Sequence, residues 1–277
     1  MKPAPFEYHR AASVEDAISL LVALGDEAKI VAGGQSLVPM MSFRLARPEH
    51  LIDITGVPGL DEVSLDGRDL TLGALATHQR VLESETIRRS RGHRIIATTM
   101  RHVGHLPIRA RGTVGGSIAH ADGSAEWPLL AVLLGGSIVA QGPGGEREIA
   151  AEDFFFGLYT SALEPQEVLT RVVLPGASGA TGFAEYGLRH GDFALASAGV
   201  VLPSPEGRGA RAVVSGAAPA PARLPAVEQA LSREDLTEED LRAATSADLD
   251  TLETEDDYQR DLVTTMVTRA VQEARGR

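Results

Sequence analysis

Two stretches of the sequence pair glycines in a way that suits an anionic ligand. They are Ala32-Gly33-Gly34-Gln35-Ser36-Leu37 and Gly112-Thr113-Val114-Gly115-Gly116-Ser117. Each has a short apolar approach, two glycines, a small or polar residue, and then apolar residues again. A glycine carries no Cβ and tolerates positive φ, so backbone N–H groups can converge on a ligand. A run of such groups leading into a helix start binds phosphate. One loop of this kind means little. Two of matching design, about eighty residues apart, predict one ligand with adjacent phosphates held from both sides.

The elements that must position these loops are legible around them. Residues 6–56 read as β-α-β. Ser13 caps a helix, with Asp16 in the capping-box place. Val14, Ala17, Ile18, Leu21 and Leu24 follow helical spacing, and Gly25 stands where a helix ends. Residues 29–32 form a short strand running into the first glycine pair. A short helix over 36–45 takes Pro39 in its first turn, and 50–54 is another strand. The three-glycine spacing of a dinucleotide-binding unit is missing, which argues against a Rossmann fold.

Residues 57–176 form a second α/β region. Strands are predicted over 70–74 and 168–174, and a hairpin pairs 137–141 with 146–150 across Gly142-Pro143-Gly144-Gly145. Helices are predicted after Thr77, over 94–103, and over the apolar run 128–134. The small-residue stretch 177–180 marks a boundary. Beyond it come three strands (182–189, 196–202 and 211–215), with a turn over 203–209 between the second and third. Helices follow over 226–231, 237–244 and 257–274. In the last, Leu262, Val263, Met266, Val267, Ala270 and Val271 make a core-facing stripe that Tyr258 opens.

Composition limits the function. The 277 residues suffice for two domains, and a 43% hydrophobic fraction suits a globular protein. There is no cysteine, so this chain holds no disulfide, thiolate metal site or iron–sulfur cluster. The net charge of −12 argues against nucleic acid and anionic membrane surfaces. It does not argue against a nucleotide cofactor held by backbone amides. No apolar run reaches the roughly 18 residues of a membrane span, and the first residues lack an apolar signal core. A cytoplasmic protein without a membrane span is expected. His102 and His105, with His93 or His120, have no carboxylate-rich companions, and Val103-Gly104 suits a helix poorly. No metal is expected there.

At this point the residues resemble a family. The stretch Ala32-Gly33-Gly34-Gln35-Ser36-Leu37-Val38-Pro39-Met40-Met41, with Arg44-Leu45-Ala46 and Leu51-Ile52-Asp53-Ile54, is similar to the first flavin signature of molybdenum hydroxylase medium subunits. Carbon monoxide dehydrogenase medium subunits are nearest in pattern, and xanthine dehydrogenase FAD subunits are related. Arg109, then Gly112-Thr113-Val114-Gly115-Gly116-Ser117 and His120-Ala121-Asp122, resembles the second signature. Arg189-His190-Gly191-Asp192-Phe193-Ala194-Leu195-Ala196 resembles the segment that opens the family's C-terminal domain.

The resemblance implies an α+β fold. A two-part FAD-binding domain of the p-cresol methylhydroxylase type would cover 1–176, with parts at about 1–56 and 57–176. A small C-terminal domain with a three-stranded antiparallel sheet and helices would cover 177–277. FAD would lie extended between the two parts. Its pyrophosphate would be held by Ala32, Gly33, Gly34, Gln35, Ser36 and Leu37 on one side, and by Thr113, Gly115, Gly116 and Ser117 on the other. Asp122 would hydrogen-bond the cofactor's hydroxyls. Phe193, where some relatives carry Tyr, would cover the isoalloxazine ring without a hydroxyl donor.

The same resemblance implies an electron-transfer subunit with two partners. A small [2Fe-2S] subunit would deliver electrons, and a large molybdenum-cofactor subunit would oxidise the substrate. An external acceptor such as NAD or a quinone would take the electrons. The missing cysteines fit that division, since the relay must sit on another chain. No catalytic acid–base pair is demanded, because flavin chemistry belongs to the cofactor. Two alternatives stay open: a self-sufficient flavin oxidase or dehydrogenase of the same superfamily, and a non-catalytic nucleotide-binding assembly subunit. The bland readings also remain. Gln35, Ser36 and Ser117 can be helix caps, Asp122 a turn residue, Phe193 a core residue, Arg109 a surface ion pair and His78 a packed helix residue.

Overall fold

A computed structural model describes residues 2–205, 209–254 and 256–276. Part of the turn expected over 203–209 thus lies outside the described residues. The first part of the chain is a three-stranded parallel sheet with β1 (Glu7–Arg10), β2 (Ala28–Val31) and β3 (His50–Asp53) in the order β1-β3-β2. Helix α1 (Val14–Leu24) crosses between β1 and β2. Ser13 Oγ accepts the Asp16 amide at 3.1 Å, while the Asp16 carboxylate takes the Ala12 amide at 2.9 Å. The cap is therefore reciprocal but shifted by one residue from a standard capping box. Gly25 ends the helix at φ 62°, a conformation that favours glycine. Ala17, Ile18 and Leu21 bury one face of α1. They join Ala11, Ala28, Ile52, Ile54, Val57 and Leu60 in a core that also takes Leu75 and Val168 from the next part. Helix α2 (Leu37–Ser42) follows the first glycine pair.

The second part is built on a five-stranded antiparallel sheet. Its strands are β4 (Val63–Asp66), β5 (Asp69–Gly73), β6 (Ser137–Gly142), β7 (Gly145–Ala150) and, after the small hairpin of β8 (Phe155–Gly157) and β9 (Thr160–Ser161), β10 (Val168–Pro175). The order is β4-β5-β10-β6-β7. The segment between β5 and β6 carries α3 (His78–Glu83), α4 (Glu85–Arg89), α5 (Arg94–Thr99), α6 (Leu106–Arg109), α7 (Val114–His120) and α8 (Glu126–Leu134). The helix expected over 94–103 stops at Thr99, before the Val103-Gly104 step where Gly104 has φ 45°.

The third part is an antiparallel sheet of β11 (Thr181–Tyr186), β12 (Ala196–Val201), β13 (Arg211–Ser215) and β14 (Ala222–Arg223), in that order. The first three are the expected strands, and the two-residue β14 adds a fourth at the edge. The last helices are α9 (Pro225–Leu231), α10 (Glu238–Thr251) and α11 (Asp257–Ala274). Tyr258 is exposed, and the stripe is buried from Val263 and Met266 onward.

Helix α8 explains how these layers join. After Glu126 its sequence Trp-Pro-Leu-Leu-Ala-Val-Leu-Leu is apolar all round, and Trp127 through Leu134 are buried. A helix of that kind must lie between two partners. One is the five-stranded sheet, the other β12 and β13. On the opposite face, α11 covers β11 and β12, so every residue of β12 is buried. Two glycines permit this close stacking. A Cβ on Gly199 would stand 2.7 Å from Leu133 Cδ2, and one on Gly182 would stand 2.7 Å from the Ala274 nitrogen.

Candidate functional site

The first glycine loop leaves the C-terminal end of β2, and the second leads into α7. The fold brings them into contact. A Cβ on Gly33 would overlap the Arg111 carbonyl oxygen and come within 2.9 Å of the Gly112 Cα. Gly34 sits at φ 70°, a region that favours glycine. The Gln35 side-chain nitrogen donates to the Gly33 carbonyl at 3.0 Å and ties the loop to itself. Ser36 precedes α2 without a side-chain cap bond. Among the described residues, the amides of Gly33, Gly34, Gln35 and Ser36 donate to no other protein group. Ala32 through Leu37 are all half-buried. This loop is a set of uncommitted donors.

The second loop is different, and the expectation of bare amides on both sides needs correcting. The Gly115 amide donates to Ala74 O at 2.9 Å, and the Ser117 amide donates to Thr113 O at 3.0 Å. The Gly116 amide donates to Thr113 Oγ1 at 3.1 Å. Thr113 is thus the N-cap of α7. Gly115 is glycine for packing reasons, since a Cβ there would lie 2.6 Å from the Ala74 Cβ. What this loop presents outward is the exposed Gly116 and the half-buried Ser117. Its floor is His78, buried, with Nε2 placed 2.8 Å from where a Gly112 Cβ would stand. The Trp127 indole N–H donates to His78 Nδ1 at 2.9 Å. Burial, helped by Arg109, lowers the His78 pKa to about 4, so the ring is neutral. Arg109 donates to the carbonyls of Val103 and Gly104 at 3.1 and 2.9 Å. It holds the loop ahead of α6.

Asp122 lies just past the other end of α7, whose seven residues span about 10 Å at 1.5 Å per residue. It is buried and accepts the Ser124 amide at 2.9 Å. Ala121 before it has φ 50°, Tyr159 has φ 56°, and the Tyr159 amide donates to Ala121 O at 2.9 Å. The His120 and Tyr159 rings stack with centroids 4.8 Å apart. Burial pushes the Tyr159 phenol up, with Asp122 adding to it, and pushes the His120 imidazole down against Asp122. Gly123 packs on the third part, where a Cβ would stand 2.5 Å from Pro219 O. Phe193 is 66% exposed. Its loop rests beside α6, with a Gly191 Cβ position 2.7 Å from the His105 ring. The structure therefore joins the two glycine loops directly, with Asp122 past the far end of α7 and Phe193 on the exposed loop beside α6.

Two acids near Asp122 do not stand out in the sequence. Burial pushes the Glu126 and Glu185 carboxyls well above the usual carboxylate range, and each is raised further by a neighbouring acid, Asp122 for Glu126 and Glu126 for Glu185. The Glu185 side chain is 6% exposed, with His102 Nδ1 3.8 Å from one oxygen. Its other oxygen is buried without a partner among the described residues. A signal for it exists: Glu185 stands two residues beyond Phe183 along β11, so it shares the inward face of a strand. His93 instead bonds Ser90 and the Leu174 carbonyl, and among the described residues no three of the four histidines gather within ligand distance of one another.

A family described as the FAD binding domain in molybdopterin dehydrogenase matches residues 4–177. The nicotine 6-hydroxylase medium subunit of Paenarthrobacter nicotinovorans is 36% identical over the whole of both chains. Among solved structures, carbon monoxide dehydrogenase from Hydrogenophaga pseudoflava lacking the Mo-pyranopterin moiety superposes with a TM-score of 0.93. It is 34% identical and covers 100% of this chain and 99% of that one. Quinoline 2-oxidoreductase from Pseudomonas putida 86 superposes with a TM-score of 0.92 at 33% identity and the same coverage. No helix among the described residues is long and apolar enough to cross a membrane.

Proposed function

The chain belongs to the family of FAD-binding domains in molybdopterin dehydrogenases, and from that premise we propose how it works. It is an FAD-dependent oxidoreductase subunit of the molybdenum hydroxylase type. In our reading it receives electrons from a small [2Fe-2S] partner subunit, while a large molybdenum-cofactor subunit oxidises the substrate. An external acceptor such as NAD or a quinone takes the electrons away. The complex works in the cytoplasm. The absence of cysteine supports the partner assignment, because this chain cannot ligate an iron–sulfur cluster.

The residues present fit FAD. The carrying observation is the row of uncommitted amides at Gly33, Gly34, Gln35 and Ser36, seated against Gly112 in a contact that a Cβ would fill. These donors would take the pyrophosphate, with Ala32 and Leu37 flanking them. Gly116, with no side chain to intrude, and the Ser117 hydroxyl would face it from the α7 side, while Thr113 and Gly115 fix that loop's shape. Asp122, one helix length away, suits a hydroxyl of an extended ligand. Phe193 would cover the ring system. When bound, FAD supplies the redox chemistry, and the chain positions it. We assign 1–56 and 57–176 as the two parts of the flavin-binding unit and 177–277 as the C-terminal unit.

The test is reconstitution of purified full-length chain with FAD, followed by the visible flavin band. Saturable uptake, release of the flavin into the supernatant on acid precipitation, and co-purification with iron- and molybdenum-bearing chains are expected. A protein that takes up no FAD overturns the reading.

A further inference from the structure

At the end of the first sheet remote from the glycine loop, Glu7, His9 and His50 converge. Parallel register pairs Glu7 with His50, and His9 stands two residues along β1 from Glu7. The period of two therefore puts all three on one face of the sheet. His9 Nε2 is 3.1 Å from His50 Nδ1. The Glu7 carboxylate is 3.6 Å from His50 Nδ1 and 4.0 Å from His9 Nε2. Nitrogen and oxygen ligands held ~2.0–2.1 Å from a tetrahedral ion lie ~3.3–3.4 Å from one another. The three observed separations bracket that edge.

The surroundings are acidic. The Glu7 amide donates to Glu49 O at 2.7 Å, and the Glu49 amide donates to Glu27 O at 2.9 Å. The carboxylates of Glu27 and Glu49 gather on the same His50 as a second trio. Three acids thus surround two imidazoles. Among the described residues none of the three is ion-paired with Lys or Arg. A hydrogen bond between the two rings is the rival explanation of the short His–His contact.

We propose that Glu7, His9 and His50 form a binding site for a divalent transition ion of the zinc class, which pins the edge strand β1 to β3. Imidazole nitrogen and carboxylate oxygen are the donor types zinc favours. The His9 and His50 side chains are 26% and 17% exposed and Glu7 is 75% exposed. That leaves a solvent side on which water completes the coordination.

The test uses full-length, chelator-stripped protein titrated with zinc chloride in a non-coordinating buffer by calorimetry. One equivalent is expected to bind. His9→Gln and His50→Gln are each expected to weaken it by at least the about tenfold that losing even an outer-shell partner costs. Zinc should raise the thermal midpoint of the parent and not of either variant. Glu7→Gln, at an exposed position, serves as the milder variant, with circular dichroism to establish folding. Absence of a one-equivalent isotherm, or binding unchanged in both histidine variants, overturns the proposal in favour of a plain hydrogen bond between the two rings. Flavin uptake is read separately, so this outcome does not bear on the flavin assignment.

Discussion

At Gly33 the missing Cβ lets the first loop lie on the carbonyl of Arg111. Gly33→Ala should therefore push the loops apart and reduce FAD affinity at least tenfold, about 1.4 kcal/mol, measured by flavin titration. Gly144→Ala, where a Cβ meets nothing within 4 Å, should leave binding unchanged. The glycine pairs themselves were legible from spacing. That Gly115 serves packing was not, because the atom it avoids belongs to Ala74, just past β5. Glu185 gives a pH prediction. Its folded pKa is raised, to about 8 from an ordinary 4.5. The folded state then holds the proton more tightly than the unfolded one. Stability is undiminished below the ordinary value and falls as pH rises through the folded one. Glu185→Gln should raise the thermal midpoint at pH 9 by roughly 2–6 °C, ~1–2 kcal/mol. The difference should vanish by pH 4. A variant less stable than the parent at pH 9 but not at pH 4 would show that the buried acid is held ionised, not protonated.

At the scale of elements, periodicity found most strands and helices, and it failed where a tertiary contact extends one. The expected helix 237–244 continues as α10 to Thr251. Its apolar spacing fades at Ser246-Ala247-Asp248, yet Asp248 is buried there for another helix. Its two carboxylate oxygens accept the amides of Ala226 and Val227, each at 3.0 Å, and so cap the start of α9. No local pattern announces a cap supplied from about twenty residues away. Burial raises the Asp248 pKa against those two bonds. Asp248→Ala leaves both amides orphaned and should cost ~2 kcal/mol in chemical denaturation. An unchanged midpoint would mean that water replaces the cap.

For the whole molecule, the main core disregards the boundary expected at residue 177. Phe183, Val201 and Val213 belong to the same apolar cluster as Trp127, Leu130, Val172 and Leu174. Cutting the chain after residue 176 would bare the α8 face that β12 and β13 cover. Losing even three or four buried large side chains at ~1.5–3 kcal/mol each consumes much of a typical ~5–15 kcal/mol margin. The fragment 1–176 should therefore be insoluble or lack a cooperative unfolding transition, while the full chain unfolds as one unit in calorimetry. Small residues and composition made the break in secondary structure visible at 177–180. The packing across it depended on which face of an all-apolar helix met which sheet, and sequence alone does not specify that.

One consequence concerns light. Trp127 is the chain's single tryptophan; it is fully shielded, and its indole is anchored to the ring beneath Gly112. All indole fluorescence of the protein thus originates at one spot under the second loop. Its colour and intensity form a built-in optical gauge of that floor, readable without any label as the loops fill, shift or come undone.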